Sequence, residues 1–255
     1  GAHNQYTISP APVKGVLLTA PVCLHIRHLI PYFTWPMSKY RREQTLSEEK
    51  ANWITHAAGI AFAVITIPFL IAYAIEKSSV STIWGVSVFG AAMFLVYLAS
   101  TVYHATKPNT NAKRTLRIFD HIGIFLMIGG SYTPLVLKYI DTPTATWFLG
   151  VMWGIIVLGS ILKVYHTGKY VLLEVAIYIA LSCMLVFIIQ PLVANIPSEI
   201  FTYILAGGIF YGIGVAFYLW KKLNYHHAVW HVFVLAGTVT HFVAIYKSVP
   251  LQVKF

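Results

Sequence analysis

Acidic side chains are scarce in this sequence, with eight Asp and Glu against eighteen Lys and Arg in 255 residues. Only 10% of the residues are charged and 58% are hydrophobic, whereas a soluble domain carries roughly a quarter charged residues. That is too little charge to solvate the surface of a soluble fold this long. Cysteine occurs twice, at Cys23 in the N-terminal segment and Cys183 inside an apolar block, so no disulfide is expected and no redox compartment follows. No Walker-type loop, dinucleotide fingerprint or nucleophile elbow is present, which removes the common nucleotide-binding and serine-hydrolase signatures. The net charge of +10 does not point to nucleic acid, because the basic residues sit between apolar blocks and not along one exposed face or in an RNA-binding motif.

What the chain does have is apolar length. Mean hydropathy is +0.70, and the apolar residues fall in blocks of about 20, the length that crosses a hydrocarbon core of roughly 30 Å. Spans are predicted near 53–75, 80–104, 118–139, 144–163, 170–192, 199–220 and 227–247, with a start in the polar stretch around Ser47 to Lys50. The expected fold is therefore an all-α, polytopic bundle of seven transmembrane helices, a multi-pass protein of the plasma (inner) membrane. Its partners are membrane lipids. Pro10, Pro12, Pro21, Pro31 and Pro36 interrupt every short apolar run before residue 38, so residues 1–46 are read as an irregular N-terminal segment and 47–255 as the membrane domain.

Orientation follows from the basic residues, which accumulate on the cytoplasmic side. Fourteen of the eighteen fall in the N-terminal segment and in the second, fourth and sixth loops; Lys77, Lys138, Lys247 and Lys254 make up the other side. The N-terminus is thus predicted to be cytoplasmic and the C-terminus outside.

Ionisable groups inside or at the ends of spans are unfavourable in lipid and ask for a partner or a function. His104 closes span 2, Asp120 and His121 open span 3, Glu174 opens span 5, and His227 and His231 open span 7, all on the predicted cytoplasmic side. His227 and His231 are four residues apart, so on a helix they project from nearly one face, as two imidazoles sharing a metal ion must. Ser100 and His104 repeat that spacing on span 2. Three histidines from two helices would supply three protein ligands to a zinc ion, with Asp120 placed to hold or deprotonate a water. The same spacing also suits an interfacial histidine pair that binds no metal. His241 lies about 15 Å further along the helix than His231 and is expected to hydrogen-bond a neighbouring span. His56 suits a helix-packing contact or support of the site, and Glu174 an interfacial acid stabilised at a helix N-terminus. Pro134 and the Gly207–Gly208 pair suit a kink and close helix approach.

Read together, Glu48 and Glu49 with Asn52, Thr55 and His56, then Ser100 and His104 in STVYH, then Arg117, Asp120 and His121 in RIFDH, then Ser131 to Pro134 in SYTP, then His227 and His231 in HAVWH resemble the hemolysin III family, the bacterial branch of the progestin and adiponectin receptor superfamily. The resemblance runs from about residue 48 to about 247; one departure is WITHA at 53–57 where many relatives carry an SITHG-like segment. It implies a seven-helix fold with an intramembrane zinc held by His104, His227 and His231. It also maps the family's serine and aspartate onto Ser100 and Asp120. In related receptors and alkaline ceramidases this arrangement is associated with hydrolysis of lipid amides, which would make Asp120 the water partner and Ser100 a hydrogen-bond donor behind the ligands or to the transition state.

Three functions remain in view from sequence. The first is a zinc-dependent hydrolase acting on a lipid-like substrate. The second is a non-enzymatic membrane-homeostasis or receptor-like protein with a structural zinc tying spans 2 and 7. The third, a pore-forming cytolysin, sits poorly with spans this apolar.

Overall fold

The computed structural model describes residues 44–251 and 253. The expectations for the N-terminal segment and for Cys23 lie outside the described residues. Seven helices are long and apolar enough to cross a membrane: α1 Leu46–Lys77, α2 Val80–Ala105, α3 Asn111–Tyr139, α4 Thr142–His166, α5 Val171–Asn195, α6 Ser198–Leu219 and α7 His226–Ser248. Their outward faces carry large apolar side chains, among them Phe69, Trp84, Trp147, Leu158, Phe187 and Ile209. Such faces match a hydrocarbon solvent, and the helical backbone satisfies its own polar groups, as lipid requires.

Two helices begin earlier than the apolar blocks suggest, because their starts are set by caps and not by hydropathy. Thr45 caps α1 in a reciprocal capping box with Glu48, so the helix begins at Leu46, seven residues ahead of the apolar block at about 53, and takes in the polar stretch Ser47 to Lys50 predicted as its start. Thr110 caps α3 by accepting the Lys113 N–H at 3.1 Å, so the polar stretch 111–117 is helical and not loop. Such caps satisfy backbone donors that the first turn leaves unpaired. Asp141 caps α4 in the same way, and the Thr144 N–H that its carboxylate accepts holds that carboxyl below its ordinary range.

α5 is not one continuous α-helix. A 3₁₀ stretch, Cys183–Ile188, interrupts it before Ile189–Asn195. Pro191, in the first turn of the resumed helix, lacks the N–H that would bond the Phe187 carbonyl. Tyr132 of α3 enters the break: its hydroxyl donates to the Ser182 carbonyl and accepts the Leu185 N–H. A side chain from another helix thus re-satisfies backbone groups that lipid cannot.

α2 packs between α1 and α3, α4 flanks α3, and α7 lies against α6 and α1. Of the Gly207–Gly208 pair only Gly207 makes the close approach, because a β-carbon there would strike the His241 ring of α7, while Gly208 faces open space. His241 bonds along the same seam, its Nε2–H donating to the Ile204 carbonyl oxygen at 3.1 Å, which is the contact expected of it. Lys138, near the end of the predicted third span, is in the last turn of α3, buried, with Nζ donating to the Val249 carbonyl at 3.0 Å. A cation there meets the negative end of α7.

The opposite end of the bundle holds the starts of α1, α3, α5 and α7 and the ends of α2, α4 and α6. Two buried acids tie it together. Glu174 of α5 accepts from Lys163 of α4 at 2.7 Å and from the Gly168 N–H at 2.8 Å, with His121 of α3 at 3.3 Å. It therefore joins three helices inside the protein, and not a headgroup interface as the sequence suggested. Glu48 of α1 accepts the Tyr225 N–H at 2.9 Å. Tyr225 precedes α7 with φ +57°, a left-handed conformation that is strained for a bulky residue, and the bond to Glu48 holds it. Glu48→Ala leaves that donor and the Thr45 cap without their acceptor. We expect a loss of about 1–3 kcal/mol, seen as a lower midpoint in thermal unfolding in detergent; an unchanged midpoint would show the contact to be dispensable.

Candidate metal centre

The three histidines singled out in the sequence converge at this end. His104 is in the last turn of α2, and His227 and His231 occupy the first two turns of α7. One ring nitrogen from each lies within 4.8 Å of the others, and the Nε2 atoms of His104 and His227 are 3.2 Å apart. Zinc–nitrogen bonds of about 2.0–2.1 Å in a tetrahedron place neighbouring ligand nitrogens about 3.3 Å apart, so this pair already has the spacing of two ligands.

The opposite nitrogens decide which atoms face inward. His104 Nδ1 lies 2.6 Å from Glu49 Oε2; a carboxylate only accepts, so Nδ1 carries the proton and Nε2 is left with its lone pair. His231 Nδ1 lies 3.1 Å from the Asn52 carbonyl oxygen, which assigns its proton by the same logic. Its Nε2 is fully buried with no hydrogen-bond partner among the described residues. An orphaned lone pair aimed at two further imidazoles is the arrangement a cation resolves, and metal-ligating histidines commonly fix their tautomer through such a carboxylate or carbonyl. The residues present therefore fit a divalent metal ion.

Glu49 was not among the residues singled out as functional. It lies in the first turn of α1 and bridges His104 to Lys113 of α3, whose Nζ is 3.1 Å from Oε1. The sequence signal was the spacing of Glu49, Asn52 and His56, which at i, i+3 and i+7 share one helix face. That face turns toward α2 and α7. Asn52 supplies its carbonyl to His231, and its side-chain amide nitrogen is 3.4 Å from His104 Nδ1.

Ser100 is one turn deeper than His104 on α2, fully buried, with Oγ unpartnered among the described residues. Asp120 is buried on α3 at the same end of the bundle. Its carboxylate is outside the group of atoms that converge within 4.8 Å and lies within electrostatic reach of His121, Lys163 and Tyr178. The structure thus brings the three histidines together, while the groups in electrostatic reach of Asp120 belong to α3, α4 and α5. His56 stacks on His231 with ring centroids 3.5 Å apart. An apolar groove of about 640 Å³ between α4 and α5, lined by residues such as Trp147, Phe148, Leu181 and Phe187, contains no ionisable side chain and is separate from this centre.

Comparison with known proteins identifies the family. The family described as haemolysin-III related matches residues 44–242. The chain is 34% identical over 198 residues to the hemolysin-3 homolog of Bacillus subtilis (strain 168), covering 78% of this chain and 92% of that protein. It is also 34% identical over 202 residues to hemolysin-3 of Bacillus cereus, covering 79% and 92%. A more distant relative is the human monocyte to macrophage differentiation factor, 24% identical over 212 residues, covering 81% and 87%. No solved structure matches. With seven membrane-length helices, bacterial relatives that point to the plasma membrane, and a family match across the described helices, the chain is an integral multi-pass membrane protein that belongs to the haemolysin III family.

Proposed function

We propose that the chain is a zinc-dependent membrane hydrolase acting on a lipid amide or a related acyl bond, with its metal centre at the cytoplasmic face. The observation that carries this reading is the inward convergence of the His104, His227 and His231 nitrogens. The cytoplasmic placement rests on the basic loops: Lys107, Lys113, Arg117, Lys163, Lys221 and Lys222 all belong to the end of the bundle that holds the histidines, and cytoplasmic ends carry the basic excess. Three imidazoles match a catalytic zinc, which keeps a fourth position for water or substrate. When bound, zinc supplies Lewis-acid polarisation of a carbonyl and lowers the pKa of water.

The protein's own groups supply the rest. Glu49 and the Asn52 carbonyl hold the His104 and His231 rings in the tautomer that leaves Nε2 free. Ser100 offers an unpaired hydroxyl, suited to donate to the oxygen on which charge develops. Asp120 is the acid–base group in this reading, taking a proton from water and returning it to the leaving amine. The lipid-facing helices admit the acyl chains. The test is hydrolysis of a ceramide by purified, zinc-loaded protein in micelles, followed as released fatty acid; absence of turnover across a panel of N-acyl lipids would sink this reading.

A second reading is favoured by one feature of the packing. α2 and α7, which provide the ligands, meet through long side chains such as Tyr97 on Thr238 and not through close backbone packing, so a metal there would add a cross-link between them. Zinc would then be structural. Chelation distinguishes the two: a structural metal predicts lower thermal stability in a protein that hydrolyses nothing.

Glu49→Gln provides an independent measure of the centre. The substitution keeps shape but weakens the acceptor for His104 Nδ1. Outer partners of this kind typically change metal affinity about 10–100-fold, and a loss of that size is expected in competition with a chromophoric chelator. Wild-type affinity in the variant would remove Glu49 from the centre.

A further inference from the structure

His56 lies on the inner face of α1, one turn deeper than Asn52, and is 2% exposed. Neither of its ring nitrogens has a hydrogen-bond partner among the described residues. Its position is fixed by packing on two sides. One face lies on the His231 ring at 3.5 Å and 30°, and an edge contact joins it to Tyr97 at 5.2 Å and 87°. Tyr97 is itself immobilised, its hydroxyl donating to Thr238 Oγ1 at 2.7 Å and its ring occupying the space where a β-carbon on Gly59 would stand. The imidazole is thus held at this depth and cannot swing to water.

Stacking alone does not account for a histidine here. A phenyl ring would fill the same slot without two unpaired polar atoms, and buried polar groups without partners are both unfavourable and rare. His56 is also not alone at this level. Ser100 Oγ is one turn below His104 on α2, and His231 Nε2 is one turn below His227 on α7; both are unpartnered. Three helices therefore each present a polar group unsatisfied among the described residues, about one turn inward from the His104–His227 contact or from Asn52. A metal ion would satisfy His231. It would not satisfy His56, whose nitrogens are outside the converging set.

We propose that His56 is a ligand-binding residue, one of its ring nitrogens hydrogen-bonding the polar head of an amphiphile whose head is held at the histidine triad. This rests on the metal reading above. A neutral imidazole offers one donor and one acceptor, which suits a head carrying a carbonyl oxygen beside an N–H or O–H. Ser100 completes the contact from α2, and the acyl chain lies between the helices.

The experiment uses octanohydroxamate, a zinc-seeking head on an acyl tail, titrated calorimetrically into the full-length, zinc-loaded protein in nanodiscs. His56→Phe keeps the stack on His231 and deletes both nitrogens. It is expected to retain wild-type zinc content and an unfolding temperature no lower than wild type, while its Kd for octanohydroxamate rises about tenfold or more. His56→Gln, which loses the stack but keeps a donor and an acceptor, is expected to bind the probe more tightly than His56→Phe. Wild-type probe affinity in His56→Phe overturns the proposal, as does a Gln variant no better than Phe. Loss of zinc from His56→Phe also overturns it, since His56 would then serve only to support His231. A wild-type protein that takes up no zinc defeats the metal reading itself, a result distinct from any of these.

Discussion

Alanine at His231 is expected to release zinc from the purified protein while its helical content stays unchanged. The side chain is fully buried, its Nδ1 is tied to the Asn52 carbonyl, and its Nε2 has no hydrogen-bond partner among the described residues, which leaves that nitrogen to the metal. Loss of an outer hydrogen-bond partner already changes metal affinity about 10–100-fold, and loss of a ligand should exceed about 100-fold. His104→Ala and His227→Ala are expected to behave alike. Removing zinc from the wild type tests the same centre by mass action. If the native state is saturated at about 100 to 1,000 times its Kd, chelation should lower stability by about 3–4 kcal/mol, and the His231→Ala variant should be insensitive to the chelator. Metal analysis by plasma mass spectrometry, together with thermal unfolding with and without chelator, checks both. Full zinc occupancy in all three variants would mean that these histidines do not hold the metal.

Asp120→Asn is expected to abolish most turnover without releasing zinc. The carboxylate stands outside the converging ligand set, so its removal should leave metal content alone, and general acid–base groups contribute about 10²–10⁴-fold. Ser100→Ala should lower kcat by about 10²–10³-fold if its hydroxyl stabilises the developing oxyanion. The hydroxyl has no partner among the described residues, so the folded state should be no less stable. The informative comparison is turnover against zinc content in the same preparations. Turnover that falls only in proportion to zinc would assign both residues to holding the centre together. If the wild type has no turnover at all, the structural-zinc reading takes its place.

The legible part of this molecule is the part that lipid dictates. Apolar blocks of spanning length located all seven helices, because in a bilayer the backbone must satisfy itself and the side chains must be apolar. Where hydropathy was silent, the boundaries moved. The polar starts of α1 and α3 depend on Thr45 and Thr110 as caps, a local signal that apolar windows do not register. The 3₁₀ break in α5 had a visible cause in Pro191, but its stabiliser is a tyrosine from α3. Glu174, read as an interfacial acid, is buried with Lys163 and His121, and its partners come from two other helices.

The metal centre divides along the same line. His104, His227 and His231 were recognisable because spacing of four on a helix places side chains on one face, and because several motifs in order resemble one family. Which nitrogens face inward was decided by Glu49 and Asn52, residues distant in sequence from the histidines they orient. The same holds for His56, whose contact with His231 exists only because α1 packs against α7. By itself the sequence determined that this chain lives in a membrane, where its membrane-length helices lie and which ionisable residues need explaining, since each follows from the free energy of placing a residue in hydrocarbon. Tertiary structure alone decided which of those residues meet, because side-chain pairing between helices depends on their relative depth and rotation, and no single helix contains that information.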